Sequence, residues 1–144
     1  MRFFHVMLHA CPALPCPVEP AHWEGRELTR VVVGPEQLQQ PLAVTFEEAA
    51  DRLGNLSRLF FEPDGSFVWV GQSTGSGGAW QIDGLLLDGG LALQYVELKG
   101  MCAAATWDEL LRVFAADPEE LLVQLVAAGY FLTAAEFRRF QFTD

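Results

Sequence analysis

Asp83, Glu97 and Lys99 are the residues whose types and spacing could do chemistry together. Two carboxylates offer the oxygen ligands that a hard divalent cation such as Mg²⁺ takes, and a water on that cation becomes a nucleophile for phosphodiester hydrolysis. Lys99 follows Glu97 by two positions, so on a strand both side chains point to one face. It is also the only lysine of the chain.

Whether Asp83 joins them depends on a turn. The stretch Trp80 to Gly100, WQIDGLLLDGGLALQYVELKG, reads as two strands folded on Asp88-Gly89-Gly90. A three-residue loop at 88–90 sets Leu87 opposite Leu91 and Asp83 opposite Tyr95, with Glu97 and Lys99 on the same face. A two-residue Gly89-Gly90 turn sets Asp83 opposite Val96 and sends the two carboxylates to opposite faces, because a one-residue slip inverts a strand. The sequence leaves both registers open.

Ile82-Asp83, a hairpin, and then Glu97-Leu98-Lys99 resemble the core signature of the PD-(D/E)XK nuclease superfamily. The resemblance implies that Asp83 and Glu97 hold Mg²⁺ and that Lys99 positions or activates the attacking water. A helix over 46–53, carrying Glu47 and Glu48, precedes the strands in the family's order. Ile82 stands where the family often has Pro, and Arg58, Lys99, Arg112, Arg138 and Arg139 are scattered among nineteen carboxylates without forming a basic groove. On the competing reading Asp83-Gly84 marks a strand irregularity, and Glu97 and Lys99 are a solvated strand end or a cross-strand pair. That reading is favoured. The expected function is a small acidic interaction or accessory domain without catalytic activity and without a cofactor. A Mg²⁺-dependent phosphodiesterase is the alternative.

Other constellations are weaker. His5 and His9 share a strand face but lie about 13 Å apart along it, too far to chelate one ion. His22 sits beside Trp23 in a loop. No GxSxG, HExxH, CxxC or GxGxxG pattern occurs. Cys11, Cys16 and Cys102 make neither a disulfide framework nor a zinc pattern, and free thiols point to a reducing, cytoplasmic setting.

A formal charge of −10 argues against nucleic acid and against anionic membranes as partners, since both need clustered Lys and Arg. No apolar run approaches the roughly 20 residues of a membrane helix. With 51% apolar residues, eleven Phe and four Trp, the chain can bury a proper core. Such a surplus of aromatics also leaves some for a protein partner or for self-association as a homodimer.

The elements follow from local punctuation. Phe3 to Ala10 alternates as a strand, CPALPCPVEP is an irregular proline-rich connection, and 27–33 is a second strand. Thr45 and Glu48 form a capping box before the face Phe46, Ala49, Ala50 and Leu53, with Gly54 at C′. Pro63-Asp64-Gly65 is a turn that sets Phe61 opposite Phe67, giving an apolar face of Leu59, Phe61, Phe67 and Trp69. STGSGG at 73–78 reads as a linker between strands. The C-terminal part reads as three short helices: one capped by Thr106 and Glu109, one started by Asp117-Pro118 with Leu121, Leu122, Leu125 and Val126 on its face and ended by Gly129, and one capped by Thr133 and Glu136.

The fold class expected is α+β. It is one two-layer domain over 1–144, with a mostly antiparallel sheet of about five to six strands, one central helix and two to three C-terminal helices. Its parts are a loop-rich stretch over 1–44, helix plus hairpins over 45–105, and helices over 106–144.

Overall fold

The computed structural model describes residues 1–13, 15–73 and 78–143. Among these residues a single nine-stranded sheet, antiparallel at every pairing, carries three α-helices on one face. The α+β class holds, with nine strands where the sequence reading has five to six.

Strand β1 (Phe4–Ala10) lies at the centre, between β7 (Leu93–Met101) and β8 (Leu121–Leu125). Its alternation decides the layering. Phe4, Val6 and Leu8 are buried under the helices, and His5, Met7 and His9 point the other way. Helix α2 (Ala104–Phe114) brings Trp107 against Phe4 with ring centroids 5.2 Å apart, and α3 (Ala134–Phe142) brings Phe137 to 4.9 Å from Trp107. Full burial of such side chains stabilises by about 1.5–3 kcal/mol each. Helix α1 (Phe46–Gly54) buries Ala49 and Leu53 on the same side. Its Thr45–Glu48 capping box forms as the sequence predicts. Gly54 is the last helical residue rather than C′, and Asn55 is the C-cap.

Three strands stand where the sequence reading has other structure. Residues 121–129 form β8 and a turn, leading to β9 (Tyr130–Thr133), and no helix lies there. Asp117 does cap a turn, but it is a single 3₁₀ turn over Pro118–Glu120. The run LLVQL is apolar at both parities because β8 sits deep in the sheet, with Leu122 and Val123 both fully buried on opposite faces. A short run of that kind has no periodicity to tell strand from helix. Gly129, with φ +74°, turns the chain into β9 rather than closing a helix.

The third is β2 (Val18–Trp23), which pairs with β3 (Arg26–Val31) across Glu24-Gly25. Both turn residues have positive φ, 53° and 73°, the requirement of the two-residue hairpin turn that suits strand twist. Pro20 is tolerated because β2 is the sheet's outermost strand, where a missing N–H leaves no ladder bond broken. His22 therefore lies on a strand, not in a loop.

On the other side of β7 the order continues through β6 (Ala79–Asp88), β5 (Ser66–Gln72) and the outer β4 (Leu59–Phe61). Phe61 does face Phe67, and Leu59 faces Trp69, across the turn at 63–65. The linker reading of 73–78 falls mostly on 74–77, outside the described residues. α2 starts at Ala104, capped by the backbone at Ala103 rather than by Thr106, whereas Thr133 caps α3 by accepting from the Glu136 N–H. No helix among the described residues is long and apolar enough to cross a membrane.

Candidate site on the open sheet face

The β6–β7 hairpin turns later than either register read from the sequence. Asp83 stands opposite Lys99 and Leu85 opposite Glu97, with a bulge between Leu87 and Asp88 and a loop over 89–92. The parity is that of the three-residue-loop reading, so Asp83, Glu97 and Lys99 do share a face, but Asp83 meets Lys99 instead of Tyr95. The face is the one the helices leave open.

Gly84 next to Asp83 has a packing reason of its own. A Cβ there would lie 2.1 Å from Cζ of Phe67, its cross-strand partner, so only glycine lets that buried ring lie across β6.

Neighbouring strands separate the two carboxylates. Strand β7 runs between β1 and β6, with Lys99 flanked by His5 on one side and Asp83 on the other. Glu97 reaches toward β1, where its Oε2 lies 2.8 Å from His5 Nε2, both side chains about three-quarters covered. Asp83 stays on the β6 side and accepts from Gln81 Nε2 at 2.9 Å. Lys99 is exposed and makes no ion pair among the described residues. No group of three or more His, Cys, Asp or Glu side chains among the described residues is arranged to hold a metal ion. A groove of about 440 Å³ beside Asp83 is lined by Arg58, Trp80 and Met101 among others, and neither Glu97 nor Lys99 reaches it.

His9 lies further along the same face between two rings, Tyr95 at 5.8 Å and Phe131 at 5.7 Å, and its Nε2 meets Gln124 Oε1 at 2.8 Å. Burial pushes its pKa below the usual histidine value, and the bond its ring N–H donates to Gln124 only partly offsets this. His9 is a neutral, packed residue. Cys102 is buried under α2, and desolvation drives its thiol up to about 12, which removes it as a nucleophile at neutral pH. Burial raises Cys11 as well, helped by Cys16 and Glu119 nearby.

His5 is the functional-looking group that sequence reasoning left without a partner. It bonds a residue 92 positions away, and only the β1–β7 pairing reveals that.

The open face also holds the apolar side chains that are most out of place. Register puts Phe60, Val18 and Met101 on it, three of the six large hydrophobics most exposed among the described residues. Phe60 is 63% exposed and sits opposite Val68. Between them Met7, Leu85, Leu87, Val68 and Tyr95 are half-buried, with Tyr95 against the His9 ring.

Comparison of the chain with known protein families, with curated proteins and with solved structures finds no match in any of the three.

Proposed function

We propose that the chain is a non-catalytic interaction domain, in which the helix-covered face supplies stability and the open face receives a protein partner. The observation that carries this reading is Phe60: a 63% exposed aromatic on the same face as five half-buried apolar side chains from four strands. Large contiguous apolar patches rimmed by polar groups mark association sites. A cytoplasmic setting fits the three free thiols. The test is a photo-crosslinking residue placed at Leu85, in the middle of the face, in the cells that make the protein. A discrete adduct at Leu85, lost with Phe60→Asp and not seen from Glu47 on the solvent side of α1, is the expected result. The absence of any adduct at Leu85 sinks the reading.

A second reading rests on the common face of Asp83, Glu97 and Lys99: a Mg²⁺-dependent phosphodiesterase with both carboxylates on the metal. It requires Glu97 to leave His5 and turn toward Asp83 past Lys99. Calorimetry with Mg²⁺ and Mn²⁺ on wild type and Asp83→Ala tests it, and identical traces remove it.

A further inference from the structure

We infer that the partner of the open face is a second copy of this chain, forming a weak dimer about a two-fold axis. The inference rests on the interaction reading above and names its occupant.

Charge favours a second copy. The chain carries −10, so two copies repel each other over most of their surface. On the central strands of the open face, by contrast, the charged side chains are Asp83, Glu97 and Lys99. Two carboxylates against one lysine leave a single formal negative charge there, and Glu97 is already engaged by His5. Copies of an acidic protein meet at least cost where their own charge is smallest. A basic partner would be drawn instead to the acidic remainder of the surface.

The face is also self-complementary in charge. Asp83 and Lys99 stand side by side on neighbouring strands, Lys99 has no ion-pair partner among the described residues, and Asp83 is held only by Gln81. A two-fold axis passing between such a pair sets Lys99 of one copy against Asp83 of the other, twice, which is the isologous pattern that closes a dimer. The same axis sets Leu87 of each copy against Tyr95 of the other, twice, so apolar side chains of both copies meet four residues along from this pair.

The area of the face bounds the strength of the contact. Five strands about 4.8 Å apart and about five residues at about 3.3 Å each give roughly 24 by 17 Å, or about 400 Å² in plan per copy before side-chain relief is counted. Standard specific interfaces bury about 800 Å² per partner, so this one lies at the small, reversible end. The dimer is therefore expected in the micromolar range and not as an obligate assembly.

Sedimentation velocity over roughly 1–300 μM, a span that brackets such affinities, tests the inference. Wild type is expected to pass from monomer to dimer, and Phe60→Asp and Leu85→Glu each to weaken the association at least about tenfold while far-UV circular dichroism stays unchanged. Asp83→Lys alone and Lys99→Asp alone each place like charges across the axis and weaken it. The double exchange restores it. A monomer throughout the range overturns the dimer. So does a dimer indifferent to Phe60→Asp and to the charge reversals, since it would use another surface. The crosslink at Leu85 remains a separate measurement: an adduct to a different protein, combined with a monomer in the centrifuge, overturns the dimer and keeps the interaction domain.

Discussion

Over Phe4 to Leu8 strand β1 presents two faces of opposite burial, and only at its end does the open side close, where His9 is packed between Tyr95 and Phe131. Phe4, Val6 and Leu8 lie under Trp107 and Phe137 with no more than 3% exposure, and their alternates His5 and Met7 look onto the open face. The first set stabilises the fold by removing apolar surface from water. The second contributes little to stability, because its groups are half wet and the His5–Glu97 hydrogen bond is partly solvated. A face with little part in holding the fold together can be shaped by what it binds. The contrast explains how one sheet serves both as scaffold and as contact surface.

The sharpest way to break that contrast is truncation at adjacent positions of β1. Leu8→Ala is expected to cost about 2–5 kcal/mol in urea denaturation, from lost transfer energy plus the cavity it leaves. Met7→Ala, one residue away on the open face, is expected to cost well under half as much. Equal losses would mean that the open face is core after all.

Next in size is Gly84→Ala, which drives a methyl into the Phe67 ring and is expected to cost about 1–3 kcal/mol. Adding Phe67→Leu should recover part of the loss, giving a non-additive pair. Strict additivity would show that the glycine is not there for the ring.

His9 gives a pH-dependent test. Its folded-state pKa is lowered by burial, so between pH 7 and 5 the unfolded chain binds a proton near the ordinary histidine value of 6.5 before the folded one does. Stability is thus fully present above about 6.5 and falls on acidification until the folded pKa is passed. Glu136, held below the usual carboxylate range first by its bond from Arg139, loses its contribution only at lower pH. Chemical denaturation of wild type and His9→Gln across the first window should show a slope in wild type that is smaller in the variant. Parallel curves would remove His9 from the balance.

The smallest effect is expected at the candidate site itself. Glu97→Gln weakens a partly exposed pair with His5 and should shift stability by less than about 1 kcal/mol in a thermal melt. A larger loss would make the pair structural and weaken its claim to any other role.

What could be read in the sequence was local. The Thr45–Glu48 box, the Thr133 cap and the Pro63-Asp64-Gly65 turn with Phe61 opposite Phe67 all form, since each depends on residues within a few positions. Asp117 also caps as its side chain dictates, yet only one turn follows it. Burial of β8 on both faces by partners distant in sequence overrides the helical start signal there. Pro20 reads as a strand breaker until β2 is known to be an edge. The candidate site was legible as three residue types and not as an arrangement: the 89–92 loop sets Asp83 against Lys99, and β1, far away in sequence, takes Glu97 toward His5.

By itself, then, the sequence determined the α+β class, the caps, the turns and the alternation that gives β1 its two faces. Tertiary structure alone decided the nine-strand order, the hairpin register and which face the helices leave open. The division has a physical cause. Caps and turns are short-range hydrogen-bond chemistry, whereas strand neighbours are chosen by burial summed over the whole chain, which no window of residues contains.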